Sequence, residues 1–345
     1  MSGRTRRRSR SNSGYNASAN ENSPPAHTVS LDQSLHPFLF MGCWNYTSPL
    51  ARGSAARDAV LDAIAEHEGD PLLVVAGDNA YPEKTRLANG SKKKVYLMDD
   101  IEDGFDRLKD AGKPLLVGIG NHNAERTPAN GRRSILQIER ETFENALPNP
   151  YFCRLFTRER KALVFLDTNA FEEEPHKLNA LYADSDYVNR MMEWLEEVIT
   201  YLRYKRYKFY LVQHEPMFSV KPKGLQRLKR ARDILNIFDS IRYYPIAILS
   251  ADTHNHQEWD LTYKDHVYRQ VVAGTGGATP DYVKALQDMV LDEPLGGDIR
   301  PFTSIQFKTA NRNHPPNYGY LEIRKPLRHQ FHDVKGPGFD FKTDK

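Results

Sequence analysis

LLVVAGDNAY, residues 72–81, decides how this chain is read. The unbroken apolar run Leu72–Val75 suits a strand covered on both faces, and Gly77-Asp78-Asn79 ends it on residues that favour turns. The same grammar recurs: FLFM (38–41) leads into GCWN (42–45), LLVGI (115–119) into GNHN (120–123), FYLVQ (209–213) into His214-Glu215-Pro216, and IAILS (246–250) into ADTHNHQ (251–257). ALVFLD (162–167) is a further buried run. Between these runs, apolar residues recur at helical spacing over 56–68, 95–112, 133–147, 185–204 and 225–241, so strands and helices alternate as in an α/β domain. After residue 250 the pattern turns strand-like without long helices, which predicts a second sheet packed on the first within one large domain.

The 345 residues are ample for a sizeable core, and a mean hydropathy of -0.66 with 11% aromatic side chains excludes both a membrane protein and a disordered polymer. No stretch approaches the roughly 18 apolar residues of a membrane span. Residues 1–35 are expected to be a disordered Arg/Ser-rich tail, 36–324 the folded domain, and 325–345 a C-terminal tail. The net charge of +3 sits mainly in Arg4, Arg6, Arg7, Arg8 and Arg10, leaving the body nearly neutral. Those arginines suit contact with an acidic protein or with nucleic-acid phosphates. The same segment lacks the apolar middle of a secretory signal, so an intracellular location is expected. Cys43 and Cys153 are too few for a disulfide framework.

The polar clusters that follow the strands hold Asp78, Asn121, His122, His214, His254 and His256. In an α/β sheet the carboxyl ends of strands line the natural crevice. Singly, each residue has an ordinary reading: Asp78 as a turn or helix cap, Asn121 and His122 as a turn with a satisfied histidine, His214 as part of a loop before Pro216. His254 and His256 are the stronger pair, because alternate residues of an extended segment share a side. Taken together, these donors suit divalent metals.

In that order the blocks resemble the calcineurin-like metallophosphoesterases, and within them the purple acid phosphatase branch, with its GD, GDxxY, GNH(D/E), His-x-Pro and GHxH motifs. Here they read Gly42-Cys43, Gly77-Asp78-Asn79-Ala80-Tyr81, Gly120-Asn121-His122-Asn123, His214-Glu215-Pro216 and Thr253-His254-Asn255-His256. LDTNAF (166–171) and VVAGTGG (271–277) are similar to later landmarks of the family. The resemblance implies a four-layer α/β/β/α sandwich with two packed mixed β-sheets. It also implies one or two divalent or transition metal ions: zinc, iron or manganese. Asp78 would bridge two of them. One would also take Tyr81, His256 and the residue at position 43; the other would take Asn121, His214 and His254. His122 would assist the transition state or protonate the leaving group of a phosphorylated substrate.

Three positions depart from the family's pattern. Cys43 stands where a carboxylate is expected, and a thiolate suits zinc but is a poor ligand for magnesium or manganese. Asn123 replaces the carboxylate beside His122, and Thr253 replaces a glycine. These departures admit a phosphate-monoester hydrolase with an altered metal site, a catalytically inactive relative that binds ligand, or a structural protein whose histidines are merely packed. Loops 46–56, 82–94 and 217–230 would wall the pocket. Lys84, Arg86, Lys92, Lys93 and Lys94 read either as a solvated loop or as an anion-gathering surface, and RYKRYK (203–208) as a helix C-terminus favoured by its dipole.

Overall fold

The computed structural model describes residues 23–46, 53–86, 92–125, 133–171, 180–281, 300–308, 318–325 and 328–334. The arginine cluster at 4–10 lies outside the described residues, as do the side chains of the lysine-rich segment 83–94. In chain order the strands are β1 Thr28–Leu31, β2 Phe38–Met41, β3 Leu72–Val75, β4 Glu83–Arg86, β5 Lys92–Val95, β6 Leu115–Val117, β7 Phe152–Phe156, β8 Lys161–Leu166 and β9 Lys208–Gln213. They continue with β10 Phe218–Lys221, β11 Gly224–Arg227, β12 Ile248–Ser250, β13 His256–Tyr263, β14 His266–Ala273, β15 Ser304–Phe307, β16 Tyr318–Lys325 and β17 Arg328–Val334. The helices are α1 Gly53–Ala65, α2 Met98–Asp110, α3 Asn121–Ala124, α4 Ile135–Thr142, α5 Tyr187–Lys205 and α6 Ala231–Ile241.

Among the described residues the strands form an eight-stranded sheet, β1-β7-β8-β9-β12-β14-β13-β15, and a five-stranded sheet, β17-β16-β2-β3-β6. Both are mixed. β2, β3 and β6 run parallel, as do β8, β9, β12 and β14, while β13, β15, β16 and β17 add antiparallel edges. The second sheet expected from the late strands is therefore divided: β13 to β15 extend one sheet, and β16 and β17 extend the other. The sheets meet face to face, with Phe38 of β2 packed edge-on against Tyr210 of β9 at 5.4 Å between ring centres. Helix α1 packs on β16 and β17, and α5 on β9, which completes the α/β/β/α sandwich.

The apolar runs explain this layering. Every residue of β2 and β3 is buried, and each such side chain contributes about 1.5–3 kcal/mol by leaving water. Helix α6 buries Ala231, Ile234, Leu235 and Phe238, one stripe at helical spacing. Helix α4 starts on a capping box, in which the Ser134 amide donates to the Gln137 side chain and the Gln137 amide donates to Ser134 Oγ.

Three sequence expectations need correcting. Residues 225–227 lie in β11 rather than in a helix, which starts only at Ala231, because the two residues Pro222-Lys223 turn the chain into a hairpin that pairs Lys221 with Gly224. Thr28–Leu31, assigned to the N-terminal tail, pairs parallel with β7, and Arg328–Val334, assigned to the C-terminal tail, pairs antiparallel with β16. Both are edge strands without a fully buried residue, so no apolar run marks them in the sequence. RYKRYK spans the end of α5, where Lys205 lies over the rings of Tyr201 and Tyr204 and Arg203 donates to the carbonyl of Ile241, the last residue of α6.

Candidate metal centre

The strand ends converge where the two sheets meet. Cys43 follows β2, Asp78 follows β3 and Asn121 follows β6 in the five-stranded sheet, while His214 follows β9 and Asp252 follows β12 in the other. Close approach of the β3 and β6 ends depends on glycine. A Cβ on Gly77, which has φ +88°, would lie 2.5 Å from the Gly120 amide nitrogen, and one on Gly120 would lie 2.7 Å from Asp78 Cα. Cys43, Asp78 and Asp252 share a left-handed backbone, each with φ +55°. Asp tolerates that region better than Cys does, so position 43 keeps a backbone seat suited to a carboxylate.

His214 is the best-defined donor. Its Nδ1 lies 2.7 Å from the Ala76 carbonyl and therefore carries a proton. Nε2 then faces three oxygens: Asn121 Oδ1 at 3.1 Å, Asp78 Oδ1 at 3.3 Å and Asp252 Oδ1 at 3.7 Å. A lone pair aimed at three acceptors is unfavourable, so this position requires a proton or a cation. Burial by itself would push the His214 imidazolium down in pKa, but the charge and hydrogen bond of Asp78, helped by Asp252 and the Ala76 carbonyl, lift it to about 9. Burial pushes Asp78 up, and the positive charges of His214 and His122 more than reverse this, holding the carboxyl well below its usual range. Asp252 is also held low: burial opposes its charge, and Lys221 and His214 outweigh the burial.

These donors fit a divalent ion. Ligands held at about 2.0–2.2 Å in a tetrahedron stand roughly 3.3 Å apart, close to the spacing around His214. Cys43, Asp78 and His214 also place their donor atoms within 4.8 Å of one another. The Cys43 side is softer. Burial, reinforced by Asp78, pushes the Cys43 thiol well above its ordinary pKa, and the same two influences push Tyr81 up. His254 Nδ1 lies 2.9 Å from the Thr279 carbonyl, and its Nε2 lies 3.3 Å from the Tyr81 hydroxyl.

His256 does not join this group. Its donor atom clusters instead with Glu258 and His329, because β13 has already begun and leads away from the β12 end. The last block is therefore read two residues earlier, as Asp252-Thr253-His254, with Asp in place of the first histidine. Sequence reasoning missed Asp252, although it stands two residues past a strand end just as Cys43 does. It also missed Lys221, whose Nζ is 2.9 Å from Asp252 Oδ2, and Gln226, whose Nε2 donates to the same oxygen at 2.6 Å. Both come from the β10–β11 hairpin, within the loop expected to wall the pocket.

The carboxylate missing at Asn123 returns at Glu125, whose Oε1 is 3.2 Å from His122 Nδ1. Asn123 is structural. Its Oδ1 accepts from the Asn79 and Gly120 amides, and its Nδ2 donates to Glu139, a carboxyl that burial pushes well above its usual pKa. Asp167 of the LDTNAF stretch accepts from Tyr187 and Asn169, and Asn169 donates to the Ile119 carbonyl, bracing the loop before Asn121.

Two mixed sheets stand face to face with helices outside, and metal-type donors gather at strand ends across the seam, with Cys43 where the sequence pattern led one to expect a carboxylate. Among solved structures the chain is similar to "Structure of PhoD", with TM-score 0.52 and 15% identity over 87% of this chain and 64% of that one. It is also similar to a dimetal phosphatase from Danio rerio, with TM-score 0.46 and 13% identity over 87% of this chain and 99% of that one. No protein-family model and no curated protein sequence matches the chain.

Proposed function

We propose that this protein is a metal-dependent phosphoesterase that hydrolyses phosphate monoesters and whose metal site is altered at Cys43. The observation that carries this reading is His214 Nε2 facing Asp78, Asn121 and Asp252, an arrangement that requires positive charge. Bound at these residues, divalent cations supply Lewis-acid polarisation of a phosphoryl oxygen and lower the pKa of a water. The chain's own part is to hold the donors rigidly. Ala76 fixes the His214 tautomer, Lys221 and Gln226 anchor Asp252 through Oδ2 and leave Oδ1 toward His214, and Asp78 accepts the His122 amide at 3.1 Å. His122 stands at the mouth, its ring 4.8 Å from that of Tyr81, with Glu125 orienting Nδ1, a placement suited to protonating a leaving alcohol.

A second reading, ligand binding without turnover, is favoured by the buried thiol at position 43 and by the closed Tyr81–His254 contact. Metal analysis of protein purified without chelator, joined to assay of an aryl phosphate from pH 5 to 9 with zinc, manganese and iron, separates the two. Roughly one metal per chain at this centre is expected, with turnover abolished in Asp78→Asn. Metal uptake that is lost in Asp78→Asn, without turnover under any condition, establishes the second reading, and absence of metal at this centre removes both. The proposed contact of the N-terminal arginines with an acidic protein or nucleic acid rests on composition and is tested by salt-dependent binding with and without residues 1–22.

A further inference from the structure

His256 opens β13 in the eight-stranded sheet, and Glu258, two residues on, projects from the same face. Across the seam, β17 at the edge of the five-stranded sheet supplies His329 and, two residues on, Phe331. His329 Nε2 lies 2.8 Å from Glu258 Oε1, and His256 Nε2 lies 3.3 Å from that same oxygen. One atom from each of the three side chains falls within 4.8 Å of the others. The His256 ring is stacked on Phe331 at 4.9 Å with 11° between planes, which fixes its direction. Its Nε2 is buried yet makes no hydrogen bond, so a polar atom is held toward the carboxylate in a geometry that hydrogen bonding does not satisfy.

We propose that His256, Glu258 and His329 form a second, structural zinc site, separate from the phosphoesterase centre, that fastens β17 to the eight-stranded sheet. Two imidazole nitrogens and one carboxylate oxygen are a donor set that zinc accepts; the 3.3 Å between His256 and Glu258 is what tetrahedral bonds of about 2.0–2.1 Å produce, and the 2.8 Å hydrogen bond of His329 to Glu258 would open by about 0.5 Å as zinc takes the place of its proton. Water completes the fourth position. The site unites the two sheets at their edge: β13 contributes two ligands and β17 one. Its effect is on the folded state, since the three residues meet only when the sheets are docked.

The test uses zinc alone on the full chain carrying Asp78→Asn and His214→Ala, so that the phosphoesterase centre no longer contributes. That protein is expected to retain roughly one zinc per chain at saturation and to show a rise in Tm on zinc addition. Adding His329→Gln removes both the bound zinc and the rise. His256→Gln, on the other sheet, gives the same result and decides the matter if the His329 variant does not fold. X-ray absorption at the zinc edge is expected to show two imidazoles and no sulfur. No zinc retained in the Asp78→Asn/His214→Ala protein, or retention undiminished by His256→Gln, overturns the site. Either outcome leaves the phosphoesterase reading untouched, because that reading depends on the residues removed at the start.

Discussion

The two halves of the candidate metal centre differ in what their hydrogen bonds leave over. Around His214 the imidazole has committed Nδ1 to the Ala76 carbonyl and aims Nε2 at three oxygens, so only added positive charge balances it. Around Cys43 burial favours the protonated thiol, and Tyr81 and His254 lie at 3.3 Å, where the phenol satisfies the imidazole without any cation. The half that draws positive charge, a proton or a cation in its place, is the one built from carboxylate, amide and imidazole. The half that has lost its carboxylate has closed on itself. Affinity for metal is thus expected to be divided unequally, with the His214 side filled first.

The sharpest way to break this contrast is to titrate the metal-free protein. His214 in the fold is lifted to about 9, above the unfolded value of roughly 6.5. Its stabilising contribution is therefore complete below pH 6.5 and is lost as pH climbs toward 9. Denaturant unfolding is expected to show a fall of about 3 kcal/mol across that window, absent in His214→Gln. An equal fall in the variant assigns the effect elsewhere. Next in size, Cys43→Asp restores a carboxylate on a backbone already at φ +55°. Manganese affinity on that side, measured calorimetrically, is expected to rise at least about tenfold, roughly 1.4 kcal/mol. No gain would mean that the Tyr81–His254 contact, rather than the thiol, keeps the cation out. The smallest effect belongs to Lys221→Met. Gln226 still holds Asp252 Oδ2, so a loss of about 1 kcal/mol in stability is expected, with the His214 titration displaced only slightly.

The layers and most of the centre were legible because the signal was local. Leu72–Val75 is apolar on both faces, and Asp78 follows within a glycine turn; nothing distant alters that reading. Asn121 and His214 were legible for the same reason. What escaped was set by partners far along the chain. Glu125 replaces the carboxylate missing at 123 because one turn of α3 brings it beneath His122, while Asn123 is tied instead to Glu139 of α4. His256 appeared paired with His254, but the strand resumes between them, and Phe331 and His329 claim it. Edge strands β1 and β17 were hidden because neither has a fully buried residue, so their composition matched that of a tail.

The donors of the centre are scattered along the chain, from Cys43 through Asp78, Asn121 and His214 to His254, and no two lie on the same strand end until Asp252 and His254. A nascent chain that has emerged as far as Glu125 owns three of these residues and cannot enclose an ion with them. The centre exists only after both halves of the sandwich have been made and pressed together. A metal held here could therefore not seed the fold as it does in small zinc modules; it would come last, to a chain that is already correct.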